Sequence, residues 1–138
     1  MSPEESVVVC PVDPYVETDY FEALKKLSDQ ADKEEANLVL MGIEPTYPSE
    51  KYGYIIPTTS EQTAMVSTFK EKPTLEVAKE YISQGALWNG GVFAYKLKYV
   101  MEIAHKLIDF TDYQDLLTKY ATLPKISFDY AVVEKEDK

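Results

Sequence analysis

Three short apolar runs, Val7–Cys10, Asn37–Ile43 and Gly91–Tyr95, are separated by stretches whose apolar residues recur every few positions. Strand-length runs alternating with helix-period segments point to an α/β fold, because each strand needs helices laid on its faces. Val7–Cys10 is β-branched nearly throughout, the pattern of a strand covered on both faces. It stops at Pro11-Val12-Asp13-Pro14, where two prolines forbid a helix. Thr18 or Asp19 can cap a helix carrying Tyr20, Phe21, Leu24 and Leu27. A strand feeding a helix and then a strand favours a parallel pair with a right-handed crossover. The expected architecture is a mixed, mostly parallel sheet flanked by helices.

Further elements follow from the same signals. Tyr54–Ile56 and Ala64–Phe69 read as strands, the first after a loop rich in turn residues that contains Pro45, Pro48 and Gly53. Thr74 can cap a helix through Ala78 and Tyr81, with Gly85 as its stop. Tyr99, Val100, Ile103, Ala104, Leu107 and Ile108 have helical spacing, a short helix is expected over Asp112–Tyr120, and Ser127 can cap a last one. The length, 138 residues, suits a single domain, residues 1–138, without a linker or repeat.

Charge narrows the function. There are 14 basic residues, all lysine, against 24 acids, for a net charge of −10. Such a chain repels phosphate backbones and lacks the arginine that reads guanine, so nucleic acid is excluded as a partner, and anionic membrane surfaces with it. No run approaches the ~20 apolar residues of a membrane span, and Met1–Glu5 lacks the basic-then-apolar start of a signal peptide. The single cysteine, Cys10, allows no internal disulfide, sits in an apolar run as a structural thiol would, and suits a reducing, cytoplasmic location.

Four places could carry chemistry. Asp13 follows the carboxyl end of a strand, where ligands of open α/β sheets gather; it is either a hard oxygen ligand for a divalent metal or a turn-forming residue between prolines. Glu71-Lys72-Pro73 ends another strand; the carboxylate can accept from hydroxyls and the ammonium can neutralise a phosphate, or both are simply solvated. Asn89, between Trp88 and Gly90-Gly91, either opens a tight hairpin or offers its amide to a polar ligand that glycine lets approach. Asp129 near a helix start is a second metal carboxylate or a complement to the helix dipole. His105, beside Lys106, has no nucleophile or acid in a catalytic pattern and reads as exposed. No phosphate-cradling glycine loop occurs.

Six segments, in order, resemble the middle of a bacterial sugar nucleotidyltransferase, with mannose-1-phosphate guanylyltransferases as the nearest branch. They are Val7–Asp13, Gly42–Pro48, Tyr52–Ile55, Phe69–Pro73, Leu87–Phe93 and Ser127–Lys135. The resemblance runs from about residue 6 to 135. It implies part of a Rossmann-like nucleotide-diphospho-sugar transferase fold, and a parent enzyme that makes GDP-mannose and pyrophosphate from GTP and mannose 1-phosphate with Mg2+. Position by position it implies Asp13 and Asp129 as metal ligands and Gly53 as the glycine facing the sugar. Glu71 resembles the acid on the sugar hydroxyls, Lys72 the lysine on the sugar phosphate, and Asn89 the asparagine beside the sugar. Asp13, Lys72 and Asp129 would carry catalysis.

The family's arginine-bearing nucleotide loop has no counterpart here. The expectation is a sugar-side fragment that is inactive alone, with the Val7–Cys10 strand left as an edge that pairs with a second copy in a homodimer. The alternatives are a non-catalytic sugar-phosphate-binding or regulatory module of the same fold, or a fragment of a glucose-1-phosphate nucleotidyltransferase.

Overall fold

The computed structural model describes residues 1–137. Five strands form one sheet: β1 (Ser6–Val9), β2 (Leu38–Ile43), β3 (Tyr54–Pro57), β4 (Val66–Lys70) and β5 (Leu87–Lys96). The helices are α1 (Thr18–Asp32), α2 (Leu75–Ser83), α3 (Leu97–Leu107), α4 (Tyr113–Lys119) and α5 (Phe128–Ala131). Short 3-10 turns cover Tyr120–Thr122 and Val133–Lys135. No helix among the described residues is long and apolar enough to cross a membrane.

The α/β class agrees with the sequence, but the mostly parallel sheet does not. Every pairing is antiparallel: β1, β2 and β3 each pair with β5, and β4 pairs with β3. β1 and β2 both oppose β5 and so run in the same direction, as a strand–helix–strand crossover requires. What the crossover could not reveal is that β5, from far along the chain, inserts between them. β5 takes the centre because it is ten residues long and its Val92, Phe93 and Ala94 are all buried. Each outer strand keeps an exposed apolar residue: Val9 on β1, Ile43 on β2 and Val66 on β4.

The faces of β5 divide the core. Val92 and Ala94 pack with Leu27 and Ala31 of α1, and with Val8, Cys10, Val39 and Met41 from β1 and β2 or beside them. Trp88 packs on the buried group of Tyr54, Ala78 of α2 and Ala86. Side chains alternate along a strand, so Asn89, Phe93 and Tyr95 face the other way. There Phe128 lies against Phe93 and Tyr95, with ring centroids 5.2 and 6.4 Å apart, and pins α5 to the sheet.

Several local signals hold with changed detail. α1 starts after Glu17 without a side-chain cap, whereas Asp112 caps α4 by accepting the Asp115 N–H. Gly85 follows α2 with φ of +82°, a stop that glycine makes without strain. Asn89-Gly90 is no hairpin turn. It lies inside β5, where Leu40 opposes Phe93 but Gly42 opposes Asn89, so β5 carries two extra residues in a bulge. Gly91, at φ +69°, makes that bulge.

Candidate functional site

Register places a gap in the sheet. Val9 of β1 pairs with Phe93, and Tyr54 of β3 pairs with Trp88. β2 holds the opposite edge of β5 at both points, so β1 and β3 share one edge and leave Asn89–Val92 between them. The end of β1, with Asp13 four residues on, and the start of β3, with Gly53, converge on this gap. Ligands of open sheets occupy such crevices beyond strand ends.

Five of the six expected site residues lie in one connected cluster. Gly53 O accepts the Asn89 backbone N–H at 2.8 Å. A Cβ on Gly53 would stand 2.5 Å from Glu71 Oε2 and 3.3 Å from Asn89 Cβ, so a larger residue there would have to displace the Glu71 carboxylate. Asn89 Nδ2 donates to Asp129 Oδ1 at 2.9 Å. Lys72 Nζ lies 3.2 Å from Glu71 Oε1 and 5.9 Å from the centre of the Tyr130 ring. Chain elements fix these contacts: β4 delivers Glu71, β5 delivers Asn89, and Phe128 on the sheet seats Asp129 beside it. Asp13 stands exposed on the turn after β1, and no hydrogen bond or ion pair among the described residues links it to the cluster.

Glu71 is the unusual group. It is 6 % exposed, and its Oε2 has no hydrogen-bond partner. Burial pushes its carboxyl above the ordinary glutamate range; the Lys72 hydrogen bond pulls the other way, and the Asp129 charge raises it further. A buried acceptor without a donor costs stability unless a ligand satisfies it. The other oxygen faces a half-exposed ammonium. A carboxylate waiting for hydroxyl donors beside an accessible cation suits a polyol that carries an anionic group.

Because the folded state holds the Glu71 proton more tightly than the unfolded chain, Glu71 adds stability at low pH that is lost as the pH rises through its raised value. The stability of wild type minus that of Glu71→Gln, from urea denaturation, should therefore fall with rising pH from the ordinary glutamate value upward. A flat or rising difference would contradict the burial argument.

For a divalent cation, the donor chemistry of Asp13 and Asp129 fits. Both are hard carboxylates, and Asp129 uses only Oδ1 for Asn89. No cluster of three metal-ligating side chains occurs among the described residues. A divalent ion on two carboxylates alone would draw the rest of its shell from water and substrate phosphate.

Two residues and one backbone conformation escaped the sequence reading. Tyr130 lies beside Lys72, and Glu134 ties the chain end to β4 through Lys70 at 2.5 Å. Lys72 itself sits at φ +46°, a strained conformation for a residue with a Cβ. Only the turn-like neighbourhood of Pro73 hinted at the last.

The nucleotidyl transferase family model matches residues 1–125, a span that stops short of Asp129. Mannose-1-phosphate guanylyltransferase of Escherichia coli is 32% identical over 127 residues, covering 74% of this chain and 27% of that protein. Xanthan biosynthesis protein XanB of Xanthomonas campestris is 32% identical over 121 residues, covering 74% of this chain and 26% of that protein. The chain thus spans about a quarter of the length of these curated relatives. A crystal structure described as mannose-1-phosphate geranyltransferase from Thermus thermophilus superposes with a TM-score of 0.78 at 37% identity, covering 97% of this chain and 43% of that one. One described as mannose-6-phosphate isomerase from Helicobacter pylori reaches 0.79 at 23% identity, covering 100% and 61%, and shares the fold. With the family model matching nearly its whole length, the chain belongs to the nucleotidyl transferase family.

Proposed function

We propose that the chain is the sugar-phosphate-binding part of a mannose-1-phosphate guanylyltransferase, whose parent enzyme forms GDP-mannose and pyrophosphate from GTP and mannose 1-phosphate in the cytoplasm. The observation that carries this reading is Glu71: a buried carboxylate with one unsatisfied oxygen, next to Lys72 and packed so closely on Gly53 that a Cβ there would stand 2.5 Å from Oε2. The names of the relatives support the choice of mannose.

In this reading the sugar hydroxyls donate to Glu71 Oε2, and the Gly53 backbone lies against the ring. Lys72 meets the phosphate, whose oxygen attacks the α-phosphorus of the nucleotide while pyrophosphate leaves. Charge accumulates there, so catalysis is chiefly positioning and neutralisation. Asp13 and Asp129 would hold a magnesium ion, which supplies positive charge to the phosphates when bound. The chain by itself would transfer no nucleotide, since it contains no arginine and no glycine-rich phosphate loop. The free edge of β1 would pair with the same edge of a second copy in a homodimer.

Titrating the full chain with mannose 1-phosphate, followed by NMR, tests the reading. Shifts should centre on Gly53, Glu71 and Lys72, with free mannose binding more weakly. Tighter binding of glucose 1-phosphate would move the assignment to that branch, and no response at Glu71 would overturn it.

A further inference from the structure

The resemblance implies that Asn89 touches the sugar; the geometry points to another role. Asn89 Oδ1 accepts the Gly91 backbone N–H at 3.3 Å, and Nδ2 donates to Asp129 Oδ1 at 2.9 Å. Each polar atom of the side chain thus has a partner within the chain. The Gly91 N–H reaches back two residues within the bulge, where Gly91 itself takes a φ of +69° that glycine tolerates. A Cβ on Gly91 would meet nothing within 4 Å, so space does not require glycine at this position; the backbone conformation does.

We infer that Asn89 is a positioning residue that transmits the Gly91 bulge to Asp129. It fixes one carboxylate oxygen and the rotamer, and leaves Oδ2 directed to a ligand. The inference rests on the proposed role of Asp129 for what that ligand is, a divalent cation, but the bridge itself can be read without it. Asp129 rides on a four-residue helix held by Phe128, whose contacts are to rings and not to the carboxylate. Without Asn89 nothing else among the described residues hydrogen-bonds the Asp129 side chain. Partners that orient a metal ligand typically change metal affinity by about 10- to 100-fold.

The test uses the full chain and its Asn89→Ala, Gly91→Ala and Asp129→Asn variants. Three-bond NMR couplings report the Asp129 χ1 rotamer, and Mn2+, added alone, reports cation binding through line broadening at Asp129. In wild type one rotamer is expected. Both Asn89→Ala and Gly91→Ala should average it, although Gly91→Ala removes no side-chain contact. Asn89→Ala should weaken Mn2+ binding roughly tenfold or more. Conversely, Asp129→Asn should shift the Asn89 side-chain amide signals and speed their hydrogen exchange, a readout that survives if an Asn89 variant folds poorly. An Asp129 rotamer indifferent to Asn89, or Asn89 amide signals indifferent to Asp129, overturns the inference. Rotamer coupling without any Mn2+ effect in wild type supports the bridge and overturns instead the metal role in the proposed function.

Discussion

Tyr54→Ala should cost the fold about 3–5 kcal/mol in denaturant titrations, as loss of a buried aromatic does. Tyr54→Phe, a single-atom change, should still cost about 2 kcal/mol. Tyr54 is wholly buried at the start of β3, among Ala78, Ala86 and Trp88. Its hydroxyl accepts the Ser49 N–H at 2.9 Å and donates to the Ser49 carbonyl at 3.1 Å. Ser49 is itself 6 % exposed, so phenylalanine would orphan two buried backbone groups where water cannot reach them. Single domains are stable by only about 5–15 kcal/mol, so the alanine variant would leave little margin. The effect extends to the site, because this bond closes the loop that ends at Gly53. Local hydrogen exchange over residues 47–53 should rise in Tyr54→Phe before the rest of the sheet responds. A phenylalanine variant within about 0.5 kcal/mol of wild type would show that the loop is held by packing alone.

The strands, helices and their order were legible because each rests on local signals: β-branched runs, helical spacing, capping residues and proline stops. Strand neighbours were not. β1 and β2 carry the pattern of a parallel unit and do run the same way, yet nothing within residues 7–43 announces that Val92–Ala94 will lie between them. Burial of β5 on both faces decides that, and burial is a property of the whole sheet. The site was legible to the same extent. Glu71, Lys72 and Asn89 stand out as polar residues at strand ends or beside glycine, whereas turn chemistry marks Gly53 only as part of a loop, and the family resemblance alone pointed to it as a site residue. Asn89-Gly90 was ambiguous because the dipeptide that favours a hairpin also favours a bulge, and only the register of β2 separates them. Tyr130 and Glu134 carry no local signal; Tyr130 joins the site because Phe128, through its two aromatic contacts, pins α5 to the sheet, and Glu134, on the following 3-10 turn, is held by its ion pair to Lys70.

Lys72→Ala should weaken mannose 1-phosphate binding by about tenfold. A hydrogen bond to a charged group is worth about 1.5–3 kcal/mol, and the lower figure applies because the Lys72 side chain is 48% exposed and partly screened. Screening also makes the loss depend on salt: the gap between wild type and Lys72→Ala should narrow as ionic strength rises. Lys72→Arg should recover only part of the affinity. Arginine keeps the charge but spreads it over a planar fork, and the backbone at φ +46° with Pro73 next to it fixes the direction in which the longer side chain leaves. Lys72→Gly separates backbone from charge, since glycine relaxes the strained φ while removing the ammonium. It should bind as weakly as Lys72→Ala and yet unfold at higher denaturant concentration. Removing the ammonium also strips Glu71 of the hydrogen bond that opposes its burial, so in both neutral variants the Glu71 carboxyl should titrate still higher than in wild type. Unchanged mannose 1-phosphate affinity in Lys72→Ala would remove Lys72 from the phosphate and leave it only the task of compensating Glu71.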